Sequence, residues 1–186
     1  FPEKIGPKLL DCTSRRAINV HPSLLPSFPG ADPVRRSLLS GHDTFGWTIH
    51  SMTSVFDGGQ ILRSQEVSIP PGAITEKVLE LISKSSSIAL VQLVQNILGD
   101  PSGVGDPQSE GGPEIANPTT PMATRVHDDE LFLRASDSLE ILRRKLRAAG
   151  IHRKILVEGP DKRLTETRGP QNLSETVSRQ ITVGNE

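Results

Sequence analysis

The sequence predicts an α/β fold in which short strands alternate with helices, and three observations carry that expectation. β-Rich runs stop at proline or glycine, a long segment after Thr75 spaces its apolar residues helically, and 16 Gly and 15 Pro punctuate the 186 residues. The composition, 34% hydrophobic and 23% charged, is that of one ordinary soluble domain with a single modest core.

The elements follow in order. Arg16-Ala17-Ile18-Asn19-Val20-His21 reads as a short buried strand that stops at Pro22, which has no N–H for a ladder. Asp32-Pro33 supplies an N-cap and a first-turn proline, so Val34, Leu38 and a terminating Gly41 suit a two-turn helix. Strands are expected at Gly46–Met52 and Ile61–Ile69, flanking a tight Asp57-Gly58-Gly59 loop. From Thr75, the residues Val78, Leu79, Ile82, Ile88, Val91, Val94 and Leu98 recur at helical spacing, with Ser85-Ser86-Ser87 marking either a kink or a break.

Ten of the 23 residues in Gly99–Pro121 are Gly or Pro, too little apolar surface to offset ordering entropy, so 99–121 is expected to be a flexible loop. Arg125–Leu133 reads as one more extended segment. Asp137-Ser138-Leu139-Glu140 fits a helix cap with Glu140 at the third position, Leu139, Leu142, Leu146 and Ala149 form a stripe that docks on the body, and Gly150 ends the helix. Residues 151–186 are expected to be a polar tail, partly disordered and too polar for a second core.

Charge and cysteine content narrow the chemistry. With 21 Lys+Arg against 22 Asp+Glu, the net charge of −1 creates no global field for nucleic acid or an anionic membrane. No apolar run reaches the roughly 18–20 residues of a bilayer span. The single cysteine, Cys12, excludes a disulfide framework and a multi-thiolate zinc site, and reads as a packing residue. No spacing among His42, His50, His127 and His152 suggests a metal, and His50 reads as a satisfied polar residue on a strand. The chain opens Phe1-Pro2-Glu3-Lys4, so it is expected to start inside a longer polypeptide.

Chemistry concentrates at the end of the first strand. Residues two apart on a strand face the same way, about 6–7 Å from each other, so Asn19 and His21 project from one side. An amide donor suits a developing oxyanion and an imidazole suits proton transfer near neutral pH, with a carboxylate as its usual tuner. Asp57 sits in a turn whose glycines let the backbone approach a ligand closely.

The run Asn19-Val20-His21-Pro22-Ser23-Leu24-Leu25-Pro26, then Gly30-Ala31, Pro33, Gly46, Thr48-Ile49 and Asp57-x-Gly59-x-Ile61-Leu62, resembles the 10-formyltetrahydrofolate-dependent formyltransferases in order and spacing. Met122-Ala123-Thr124-Arg125-Val126 and the Ser138–Gly150 helix resemble the linker helix of the methionyl-tRNA branch, and Val55–Gly59 resembles its fungal organellar version. The resemblance implies that 1–98 is the later half of a formyltransferase catalytic domain, with a parallel or mixed sheet, flanking helices and the upstream mononucleotide-binding half absent. It implies a linker strand and helix over 122–150. It assigns Asn19, His21 and Asp57 to catalysis, with Asn19 and protonated His21 on the oxyanion and Asp57 supporting His21. It assigns Ser23, Leu24, Gly58 and Gly59 to the folate co-substrate.

The resemblance further implies a formyl transfer from 10-formyltetrahydrofolate to the amino group of methionyl initiator tRNA, by a monomer without metal or membrane attachment, in the mitochondrial matrix or a bacterial cytoplasm. Nine Lys/Arg against three Asp/Glu between Arg143 and Arg168 make the one basic region. Within it Arg143, Arg144, Arg147, Arg153 and Lys154 are the expected tRNA phosphate contacts. Glycinamide ribonucleotide and a nucleotide-sugar amine are the alternative acceptors, and an inactive truncated relative is the alternative of another class. Pro29 departs from the family, many members of which carry a basic residue there.

Overall fold

The computed structural model describes residues 5–12, 17–99, 113–115, 121–159 and 162–168. They form two compact units, one from Phe1–Pro33, Thr44–Ser68 and Leu79–Arg125, the other from Val34–Asp43, Ile69–Val78 and Val126–Glu186. The division is interleaved along the chain. None of the described helices is long and apolar enough to cross a membrane.

The first unit is built on strands β1 (Ile18–His21), β2 (Phe45–Ser51) and β3 (Ile61–Val67), in that order, each pairing antiparallel. Alternation and β-branching reveal a strand but not its direction, so the antiparallel arrangement was not legible. The central strand β2 is buried along its whole length, and the backbone packs closely at Gly46, where a Cβ would lie 2.4 Å from the Gln65 carbonyl oxygen and 2.7 Å from the Leu24 side chain. Short helix α1 (Pro7–Cys12) precedes β1, and Cys12, expected to pack, is exposed.

Helix α3 (Thr75–Gly99) runs without interruption through Ser85-Ser86-Ser87. The hydroxyls of Ser86 and Ser87 bond back to the carbonyls of Ser83 and Lys84, and Ser85 accepts the Trp47 indole N–H at 2.9 Å. Their polar groups are thus used without displacing the helix ladder. Of the apolar stripe, Val78 and Ile82 are buried together with Leu93, whereas Ile88, Val91 and Leu98 are exposed.

Residues 99–121 lie mostly outside the described residues. Pro113–Ile115 form an antiparallel bridge beside Gln60, with Ile61 N–H on the Pro113 carbonyl and Ile115 N–H on that of Gly59. Further on, Ala123 exchanges backbone bonds with Pro29 and Asp32, and Gly30, at φ +125°, leaves no room for a Cβ against Ala123.

The second unit holds α2 (Pro33–Ser40) beyond Pro33, a 3-10 turn at Asp128–Leu131, α4 (Leu139–Ala149), and strands β4 (Lys154–Glu158) and β5 (Leu164–Arg168). Ser138, not Asp137, caps α4 by accepting from Ile141 N–H, and Asp137 pairs instead with Lys145 at 2.6 Å. Gly150, at φ +65°, ends the helix. Leu139 is 59% exposed, which removes it from the expected stripe; Leu146, Ala148 and Ala149 are the buried residues of α4.

Two expectations for the chain's later part are corrected. The extended reading of 125–133 gives way to the 3-10 turn, where Arg36 grips both Glu130 oxygens and Glu130 returns to the His127 N–H. The polar-tail reading fails over 154–168, which form an antiparallel hairpin. Leu133 bridges to Val157, and Leu131, Leu133, Leu146 and Ile155 make a small core. Exposed Leu156 and Leu164 hide the hairpin's apolar periodicity from the sequence. Residues 169–186 lie outside the described residues.

Candidate active site

The end of β1 and the β2–β3 loop face one cavity of about 540 Å³ in the first unit, lined by Asn19, His21, His50 and Asp57 with apolar Ile5, Val55 and Phe56 among others. Because β1 and β2 are antiparallel, the loop after β2 leaves at the far end of β1 and folds back to bring Asp57 to His21. Asp57 occupies the left-handed region at φ 49°, one that aspartate tolerates better than most residues, and Gly59 follows at φ +99°, with a Cβ position 2.2 Å from the Ser51 carbonyl oxygen. The two conformations together turn the carboxylate inward.

The polar atoms of His21 and Asp57 face defined groups. His21 is 4% exposed, and its Nε2–H donates to the Phe28 carbonyl at 3.0 Å. Phe28 presents that oxygen from a φ of 52°, a strained conformation for an aromatic residue. Since a carbonyl only accepts, Nε2 carries hydrogen and Nδ1 faces Asp57 Oδ1 across 3.6 Å. The other carboxylate oxygen of Asp57 accepts the Gly30 N–H at 2.6 Å.

Burial pushes the His21 imidazole below its ordinary value of 6.5; the Asp57 charge and the Phe28 carbonyl pull it back, and His50 adds to the lowering. The resting ring is therefore neutral at pH 7. An incoming proton has one place to go, Nδ1, where Asp57 stabilises the charge it creates.

Asn19 pairs in register with His50, and its Nδ2 lies 3.1 Å from His50 Nε2. His50 Nδ1 points at the Gly58 carbonyl at 2.9 Å and the Ser51 carbonyl at 3.0 Å. His50, read from the sequence as a satisfied polar residue on a strand, is satisfied within this cluster, and its contact with Asn19 makes it part of the site. Only strand register could have found it.

Ser23, Leu24, Gly58 and Gly59, expected to hold the co-substrate, are not among the residues lining the cavity. Ser23 donates to the Ser27 carbonyl at 2.7 Å, Leu24 packs against Gly46, Gly58 gives its carbonyl to His50, and Gly59 makes the turn. They shape the loops around the site.

The basic cluster is largely occupied within its own unit. Arg144 pairs with Glu140 at 2.8 Å, Arg147 donates to the Ala73 carbonyl at 3.0 Å, and Arg153 donates to the Val126 carbonyl at 2.7 Å and to Asp128 at 2.9 Å. Arg143 is exposed, and Lys154 contributes its backbone to β4. Among the described residues no group of three or more His, Cys, Asp or Glu side chains is placed to hold a metal ion.

Comparison with known proteins places the chain in a family. The family described as "Formyl transferase" matches residues 2–94. The methionyl-tRNA formyltransferase of Thermotoga sp. (strain RQ2) is 30% identical over 148 residues, which cover 77% of this chain and 44% of that protein. The chain spans 44% and 40% of the length of two of the curated relatives it matches. A 4-N formyltransferase from Francisella tularensis shares the fold at a TM-score of 0.66 and 18% identity, over 89% of this chain and 66% of that one. HypX from Aquifex aeolicus, in complex with tetrahydrofolic acid, does so at a TM-score of 0.58 and 12% identity, over 76% of this chain and 23% of that one.

Proposed function

Because the chain belongs to the formyl transferase family, we propose that Asn19, His21 and Asp57 transfer a formyl group from 10-formyltetrahydrofolate to a primary amine, and that the amine is that of methionyl initiator tRNA. The observation that carries the chemistry is the 3.6 Å approach of Asp57 Oδ1 to His21 Nδ1 beside the Asn19 amide, all on one cavity.

The amine nitrogen attacks the formyl carbon, and the carbonyl oxygen becomes an oxyanion that accepts the Asn19 N–H not used by His50. Nδ1 of His21 takes a proton from the new ammonium nitrogen, and Asp57 stabilises the resulting imidazolium. As the carbon–N10 bond breaks, the same proton passes to N10, leaving the N-formyl product, tetrahydrofolate and a neutral imidazole. The Nε2–H stays on the Phe28 carbonyl and fixes the ring plane throughout.

The acceptor rests on the name of the 30% identical relative and on the resemblance of 122–150 to a linker helix. Incubating the chain with 10-formyltetrahydrofolate and charged initiator tRNA, and following N-formylmethionine after deacylation, tests it. Formylated methionyl-tRNA is expected. Transfer confined to an amino-sugar nucleotide would reassign the acceptor, and no transfer to any amine would remove the activity from this chain.

A further inference from the structure

We propose that His50 is a positioning residue that sets which end of the Asn19 amide faces the reacting group. The inference rests on the reading of Asn19 as the oxyanion donor. Both partners of His50 Nδ1, the Gly58 and Ser51 carbonyls at 2.9 and 3.0 Å, only accept, so Nδ1 bears the hydrogen. In the neutral ring Nε2 is then a bare acceptor, and it stands 3.1 Å from Asn19 Nδ2. Rotating the amide by half a turn would set its oxygen against the Nε2 lone pair, with no hydrogen between them. The NH₂ end therefore stays at His50, with one hydrogen on Nε2 and the other available to the cavity.

The ring is well placed to hold this choice. His50 is 2% exposed, follows the β2 irregularity between Ile49 and His50, and is bonded to the Gly58 carbonyl of the Asp57 turn. One imidazole thus ties the oxyanion donor to the turn that carries the carboxylate. Without it, the Asn19 amide turns freely and presents its oxygen part of the time, which would repel the developing negative charge. Misorienting a single donor of this kind is expected to slow the chemical step by about tenfold to a hundredfold while leaving substrate binding nearly unchanged.

The experiment has two readings on the 186-residue chain. In ¹⁵N-labelled protein at a pH where the ring is neutral, the ring spectrum of His50 should show the hydrogen on Nδ1 and a bare Nε2, and one Asn19 amide proton should be protected from exchange. His50→Leu should abolish that protection. In formyl transfer, His50→Leu should lower kcat with KM within about threefold, His50→Gln should recover part of the loss because its Oε1 restores an acceptor, and His50→Leu should cost nothing further in an Asn19→Ala background. A proton on Nε2, an Asn19 amide indifferent to His50, or losses that multiply in the double variant would overturn the proposal. If the unaltered chain transfers no formyl group, the reading of the site fails, and the spectra alone decide whether His50 holds the amide.

Discussion

His21 Nδ1 stands 3.6 Å from Asp57 Oδ1, and that approach is made by a loop folding back over an antiparallel strand pair. The ring is clamped at its other nitrogen by Phe28, and the carboxylate by the Gly30 N–H. Such a pair is set up to receive a proton at one nitrogen only. Several consequences are measurable.

The titration of His21 is the first. Burial lowers it below 6.5, against the opposing pull of Asp57. Replacing Asp57 by Asn should therefore lower it further, as read from ring chemical shifts. A value above 6.5 in the unaltered chain would contradict the burial argument. The linkage has a definite sign: between the folded value and 6.5 the unfolded chain binds the extra proton. His21's contribution to stability is therefore complete above pH 6.5 and declines as the pH falls through that window. Urea midpoints measured across that window check it.

Glu130 provides the acidic counterpart in the second unit. Its bonds to Arg36 hold its carboxyl below the ordinary 4.5, with the His127 N–H assisting. Stability from this pair is present above pH 4.5 and is lost as the pH falls through the lowered value. Arg36→Ala should cost about 1 kcal/mol at neutral pH, a modest figure because both groups are partly solvated. Denaturation at neutral and low pH separates the two effects: the difference between Arg36→Ala and the unaltered chain should shrink at low pH.

The family resemblance singled out Asn19, His21 and Asp57 together, and the structure sets all three on one cavity. Partners that depend on register or on backbone shape were not legible in the sequence. His50 enters only because β1 and β2 set it opposite Asn19, and Phe28 only because a positive φ turns its carbonyl to His21. The arginines were read as one surface, yet backbone carbonyls far along the chain claim two of them, Arg147 and Arg153. A charge count cannot show that.

The arginines accordingly divide by role. Arg153→Ala loses the bonds to Val126 and Asp128 and should lower stability by roughly 1 kcal/mol, whereas Arg143→Ala should change it by less than about half that. Thermal melts of the two variants decide this. Equal melting temperatures would return Arg153 to the set of solvated surface charges.

Gly59 tests the turn. Alanine there adopts an unfavourable φ near +99° and places its Cβ on the Ser51 carbonyl, so Gly59→Ala should destabilise by roughly 2 kcal/mol or more and displace Asp57. A variant as stable as the original, with the His21 titration unmoved, would show that the turn has room to adapt.

The most direct test of the proton path is single-turnover formyl transfer from 10-formyltetrahydrofolate to charged initiator tRNA by the unaltered chain, His21→Ala and Asp57→Asn, with folding checked by circular dichroism. Loss of roughly two or more orders of magnitude in each variant, with unchanged spectra, is the predicted result. A folded Asp57→Asn or His21→Ala protein that transfers the formyl group within about threefold of the original rate would contradict it.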